Sequence, residues 1–502
     1  MRALLLVVLL PALAFAQAQT PNLHLLLGQQ QYENQNWQIL DTVVGAFGAP
    51  SGIVNVKTVI PGVLVGAVGD GVHDDTAAIN AAIAYVCPGA PYVNGPNCGT
   101  VYFPAGQYAT TGPILFRSEN GIFSSQGRGL VLQGAGQGAT LLLSATSGTG
   151  YSMIRNSDPH TCDSNSGTGS CAAPVSCSTA RSTRGVGCPC YRNNDCGNTG
   201  TCTGGRVARN VIIRDMGLFI QQDNMVGLDM SFCSTCKVEH VTVDVTTGVT
   251  HSNITDVITG DGQEGAGTLG GYDNNFYGNI FASGDVCFRA MKQSNDLRLF
   301  GNTFGNTCGS GLVIEGTETV FATHNLFQST RAATCTGGTT CTGGYHGTGY
   351  VPSAAARACT VAADCGEADI IIGGFCSTGA LGDAIAFNHI EDSNNPHILL
   401  GDGGGTAQSP TILSNVHFGS GQCVKQVLTQ TPFVIEPECP GADSGALVTY
   451  RTEPLPTCGP TSGPMLVQDL SLTNRNLCFC NQSTGKWCRV DAPTTCNSAT
   501  AC

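Results

Sequence analysis

The chain has 502 residues, a formal net charge of −13, and charged side chains at only 11% of positions. An acidic surface repels the phosphate backbone, which argues against DNA or RNA as a partner. It also repels a polyanionic glycan unless cations bridge the two. Beyond the N-terminal segment, no stretch is long and apolar enough to cross a membrane as a helix.

Residues 1–18 read as a secretory signal peptide. Arg2 supplies the basic start and Ala3 to Leu13 the apolar run, with small-x-small sites at Ala14-Phe15-Ala16 and Ala16-Gln17-Ala18. Export places the protein outside the cell or at its surface. There an even count of 26 cysteines is expected to form disulfides. Cys233-Ser-Thr-Cys236 has the spacing of a zinc pair, but no second pair follows at the usual distance, so a cystine or thiols are expected. The 67 glycines suit a fold of many tight turns.

Residues 19–60 read as a lead-in with a short helix near Asn36–Asp41. Then comes Gly69-Asp70-Gly71-Val72-His73-Asp74-Asp75-Thr76-Ala77-Ala78-Ile79. The glycines allow a sharp turn. Asp75 is placed to N-cap a helix, and Asp74 favours the helix's positive end. Ile79, Ile83 and Val86 form one apolar stripe on that helix. Strands are expected at Thr100–Phe103, Leu130–Leu132 and Thr140–Leu143. The last two flank Gly134-Ala135-Gly136-Gln137-Gly138. A strand follows those glycines where a dinucleotide loop needs a helix, so that reading fails.

Three blocks, Gly-Asp-Gly-x-x-Asp-Asp-Thr-Ala-Ala-Ile, Val-Tyr-Phe-Pro-Ala-Gly-x-Tyr at 101–108 and Leu-x-Gly-x-Gly at 132–136, stand in order. They resemble the N-terminal part of pectate-lyase-like parallel β-helix proteins. That group includes rhamnogalacturonase- and epimerase-like enzymes and phage tailspike depolymerases. The resemblance covers residues 60 to 145. It implies an all-β, single-stranded, right-handed parallel β-helix whose open N-terminal end is capped by the helix. The Asp74-Asp75 pair then has a structural role.

The repeat is visible without the family. Asn279, Asn302 and Asn325 recur 23 residues apart, each beside an aromatic strand; Asn388 lies 63 further on and Asn415 another 27. His240 and Asp215 are assigned the same position upstream. A period in this range without helical periodicity signals stacked β-coils. Asparagines at one corner of each coil are expected to ladder, each amide bonding the next. The solenoid is assigned to 61–423, with Gly/Ser/Thr/Cys-rich inserts at about 155–207 and 330–380. Cys-x5-Cys recurs at 171–177, 190–196, 196–202, 335–341, 359–365 and 496–502, suggesting small cystine-tied loops. Residues 424–502 read as a cystine-rich β cap or small module, with a hairpin whose turn is Asn481-Gln482-Ser483-Thr484-Gly485.

A β-helix binds ligand in a groove along one sheet. Alternation puts Leu228, Met230, Val286, Phe288, Leu312 and Ile314 inside, and Asp229, Arg289 and Glu315 outside on one face. Lys292 and Glu318 continue that face; Asp256, Asp261 and Glu264 sit in a loop between coils, and Asp285 leads into the Arg289 strand. Glycoside hydrolysis needs two carboxyl groups, which Asp229, Asp256 and Glu315 would supply. β-Elimination needs a base, Arg289 or Lys292, and a cation for the uronate. Ca2+ held by Asp256, Asp261 and Asp285 would reconcile an acidic protein with an acidic polymer. The plain alternative is a solvated salt-bridge ladder around Arg289. The Asn-Thr-Asp, Gly-His-Gly and Arg-Ile-Lys set of polygalacturonases and the Arg-x-Pro-x-x-Arg stretch of pectate lyases are missing, so the resemblance carries over no catalytic residue. The expectation is a secreted protein that cleaves an extended polysaccharide, as a lyase or glycoside hydrolase. The alternative is a non-catalytic glycan-binding adhesin or a structural, tail-like β-helix. The sequence carries no signal for an oligomeric state.

Overall fold

The computed structural model describes residues 52–60, 64–87, 98–116, 129–156, 208–260, 273–328, 368–373, 383–391, 397–400, 410–418 and 423–426, short breaks aside, plus isolated strands within 160–204, 334–342, 380–408 and 433–496. The signal segment, the expected lead-in helix, Asp261, Glu264, Lys292, Glu318 and most Cys-x5-Cys loops lie outside these residues.

Short parallel strands stack coil on coil. Nineteen strands form a long sheet that bends at one corner, and nine form a second sheet running from Ile114–Phe116 to Val424–Gln426. The two sheets enclose one continuous core. Register carries side chains into columns. Phe281 pairs with Phe304, and Phe304 with Phe327, so three buried rings stack along the axis with centroids 5.5 Å and 4.7 Å apart. Each such ring contributes about 1.5–3 kcal/mol by leaving water.

The corner of the long sheet explains the 23-residue period. Asp215, His240, Gly278, Gly301, His324, Phe387 and Ser414 each adopt a left-handed φ between +50° and +64°. The next residue turns inward. From Asn279 onward it is asparagine, and each Nδ2 donates to the next Oδ1: Asn279 to Asn302 at 2.9 Å, Asn302 to Asn325 at 3.0 Å, Asn325 to Asn388 and Asn388 to Asn415 at 2.9 Å. The second amide hydrogen goes to a backbone carbonyl, such as Phe276 for Asn302. His240 and Asp215 prove to be one residue out of this ladder. They are in register with Gly278, and Val241 occupies the asparagine position, its N–H donating to Asn279 Oδ1 at 2.9 Å. The turn conformation is shared along the corner, and the asparagine begins only with Asn279.

The capping helix runs Thr76–Val86 and buries Ile79, Ala82, Ile83 and Val86. Asp75 stands at its N-cap position, but its side chain makes no cap bond. It turns back to accept from Val68 N at 2.7 Å and Gly69 N at 3.0 Å, pinning the glycine turn. Asp74 instead accepts from Thr76 N at 3.0 Å and Thr111 Oγ1 at 2.6 Å, tying the helix to the first coil.

Disulfides join Cys87–Cys98, Cys233–Cys236, Cys287–Cys308 and Cys488–Cys496. The Cys233–Cys236 pair is thus a cystine. Cys335 and Cys341 face each other across an antiparallel pair, as a tied loop requires. Cys496 bonds Cys488, so the spacing to Cys502 does not mark a pair. The terminal hairpin forms as expected, Asn476–Asn481 against Lys486–Arg489. No helix among the described residues is long and apolar enough to cross a membrane.

Candidate functional site on the second sheet

The second sheet presents one outward row along the axis. Register links Leu115, Arg155, Asp229, Ile258, Arg289, Val313, Ile371 and Leu399 across successive strands. Most of the row is aliphatic, and Val313, Ile371 and Leu399 form a cluster with Val286 and Ala368 that is separate from the main core. Charge enters at three row positions, Arg155, Asp229 and Arg289.

Arg289 and Glu315 meet. Arg289 Nε donates to Glu315 Oε2 at 2.9 Å and Nη2 lies 2.8 Å from the same oxygen. The residues are 0% and 1% exposed, so the pair is buried and the solvated ladder is not what forms. Asp229 lies two strands before Arg289, about 10 Å away at normal strand spacing. It is buried too, and accepts from Ser231 N at 3.0 Å and Ser152 Oγ at 3.2 Å. The backbones of Asp229 and Glu315 are separated by three strand steps, about 14 Å, and the Glu315 carboxylate is held on Arg289, itself about 10 Å from Asp229. Paired glycosidase carboxylates need about 5 to 9.5 Å.

Strict alternation fails at one place in these strands. Cys287 and Phe288 both belong to the main core, while Val286 lies on the outer cluster. Two consecutive residues therefore turn inward, and Val286 is outside, contrary to expectation. The same step puts Gly227 and Gly311 inward, where an added Cβ would meet Val243 and Phe327 side chains. Asp256 is in register with Gly227 and Cys287, inside a strand and not a loop. Its carboxylate lies in one group with the sulfurs of Cys287 and Cys308. Those sulfurs are bonded to each other. Asp285 Oδ2 accepts from Ile254 N at 2.8 Å. Ca2+ takes six to eight oxygen ligands, and no three carboxylates converge among the described residues. Asp261, the third residue of the expected Ca2+ set, lies outside the described residues, and Asp256 is turned away from Asp229.

Arg155 was missed by the sequence reading. It is the register partner of Asp229, and its Nε is buried with no hydrogen-bond partner among the described residues. The signal was there: Ser152-Met-Ile-Arg, Val226-Gly-Leu-Asp and Val286-Cys-Phe-Arg each carry charge at the fourth residue.

The coil geometry, the capping helix and this row define a pectate-lyase-like parallel β-helix. The chain belongs to the family described as rhamnogalacturonase A/epimerase, pectate lyase-like, whose profile matches residues 54–340. No curated protein sequence matches it. Among solved structures it is similar to ORF18 of Geobacillus virus E2, at 16% identity over 93% of this chain and 77% of that one, TM-score 0.44. It is similar to the A-module of mannuronan C-5 epimerase AlgE4 of Azotobacter vinelandii, at 16% identity over 76% and 99%, TM-score 0.29. It is also similar to PfbA, a surface adhesin of Streptococcus pneumoniae, at 11% identity over 75% and 94%, TM-score 0.25. The fold assignment rests on this chain's own strand pairing.

Proposed function

We propose that this is an exported, carbohydrate-active protein that cleaves an extended polysaccharide laid along the outward face of the second sheet. The supporting observation is the placement of Arg155, Asp229 and Arg289 on a row otherwise filled by aliphatic side chains. A buried ion pair is weak evidence for stability, so charge held on such a face points to use. The distance between Asp229 and Glu315 argues against that pair as hydrolase acid and base, and favours elimination from a uronate. In that reaction Asp229 takes the proton beside the uronate carboxylate, while the Arg155 guanidinium neutralises that carboxylate with its fixed fork of donors. The electron pair of that C–H bond forms the C4=C5 double bond as the C4–O bond to the next sugar breaks, and the leaving oxygen takes its proton from water. Arg289, committed to Glu315, positions the face and is no base, since arginine stays protonated in proteins.

One observation favours a second reading, a non-catalytic glycan-binding surface protein: Asp229, Ile258, Arg289, Val313, Glu315 and Ile371 are all closed to solvent, and only Leu115 and Arg155 of the row are half-buried. The test is incubation with acidic and neutral polysaccharides, with Ca2+ and with chelator. New reducing ends and the absorbance of unsaturated uronates are followed together. Elimination predicts both signals, lost in Asp229→Asn. Retained binding with neither signal on any polymer sinks the enzyme reading.

A further inference from the structure

We propose that the outer corner of the coils carries a separate binding surface, a column of rings, half-buried at its first member and exposed at the other three, that takes a neutral, extended polysaccharide by its C–H faces. The column is Tyr277, Phe300, His324 and Phe387. Ring centroids lie 6.2 Å apart from Tyr277 to Phe300, 5.2 Å from Phe300 to His324 and 5.6 Å from His324 to Phe387. Each ring comes from the next coil, so the column runs along the solenoid axis.

The rings are out of place for a merely structural corner. Phe300 is 46% exposed and Phe387 50% exposed. Phe387 also adopts a φ of +56°, which disfavours bulky residues, at a corner position where earlier coils carry Gly278 and Gly301 and the next coil carries Ser414. A ring there is unfavourable both for its backbone and for its hydration. Contiguous exposed apolar side chains mark a binding surface. Directly beneath, the asparagine ladder holds the coils at fixed pitch, so the rings are set before any ligand arrives.

The ligand class follows from charge and pitch. The basic side chains named here stand beside carboxylates: Arg298 with Asp273 at 3.9 Å, and the imidazoles of His240 with Asp215 at 3.4 Å and His389 with Glu391 at 2.6 Å. Carboxylates beside these groups and a net charge of −13 for the chain disfavour a polyanion. A flat polymer of neutral β-linked pyranoses presents a C–H face at each successive sugar, one ring-width apart. Such faces lie against aromatic rings, and the imidazole of His324 offers a polar edge to the hydroxyls. This surface is separate from the second sheet, and its test is independent of cleavage.

The test is affinity electrophoresis of the full chain in gels containing hydroxyethylcellulose, with polygalacturonate gels as the acidic comparator. Retardation is expected in the neutral gel alone. Phe300→Ala and Phe387→Ala should each weaken it about fivefold, with Phe300→Trp restoring it and thermal melting unchanged. Phe321→Ala removes a ring that is 40% exposed but outside the column, and should change nothing. The proposal is overturned by no retardation in hydroxyethylcellulose, or by equal loss in Phe321→Ala. A dimer in sedimentation velocity that Phe300→Ala abolishes would also overturn it, showing the rings to be a contact between copies.

Discussion

At the scale of single residues, the Arg289–Glu315 pair decides how the second sheet should be read. Both groups are out of water and share one oxygen in two short contacts. Removing one partner leaves the other charge buried without its opposite, which costs about 3–5 kcal/mol. Glu315→Leu and Arg289→Met are each expected to lose that much in urea unfolding. The double variant should lose much less, because the aliphatic neighbours Val313 and Ile371 extend across the position. A double variant as unstable as the sum of the singles would mean that the two residues do not act as a pair. Alternation showed that Asp229, Arg289 and Glu315 share a face, because side-chain direction is local to a strand. It did not show their burial, which depends on what the rest of the chain lays over them. Nor did it show Asp256 turning inward, since the consecutive inward pair at Cys287–Phe288 breaks the two-residue rhythm on which the inference rests.

At the scale of elements, the asparagine ladder was legible because its chemistry forces one residue type at one spacing. Its strength is concentrated at each rung. Asn325 accepts from Asn302 N and Nδ2 and donates to Leu299 O. Asn325→Leu keeps the volume but strands those three buried groups, at about 1–3 kcal/mol for each group left unmade. Loss of amide-exchange protection at Asn302 and Asn325 is the readout, and unchanged protection would show that water replaces the rung. The ring column was not legible, because the asparagine spacing makes His324 and Phe387 neighbours but says nothing of their exposure or their left-handed backbone. The N-terminal cap makes its own prediction. Partial burial opposes ionisation of Asp74, but hydrogen bonds from Thr111 and Thr76 outweigh it and lower its pKa below the ordinary 3.8. Asp70 is lowered by the N–H groups of His73 and Val72. A lowered carboxyl contributes its full stabilisation above the ordinary value and loses it as pH falls through the folded one. Proteolysis between residues 70 and 111 should therefore accelerate below that pH ahead of cleavage in the coils, and Asp74→Asn should remove most of the difference.

At the scale of the whole molecule, a solenoid touches only its neighbours, so stability is close to a sum of coils and of the interfaces between them. Disulfides in such a fold act locally. Cys287–Cys308 closes a sequence separation of 21 and joins two successive coils next to the phenylalanine column. Removing the constraint from the unfolded chain is worth about 3 kcal/mol for a loop of that length. The Cys287→Ala/Cys308→Ala variant is therefore expected to raise amide exchange in the strands from Ile280 to Ile314 and in the coils immediately flanking them. Exchange in the capping helix, many coils away, should not move. A globular domain with one cooperative core would spread the same loss across all its slow amides. Uniform loss of protection from Val101 to Ile412 would contradict the nearest-neighbour account, and loss confined to the bridged coils would confirm that each coil is held chiefly by the two beside it.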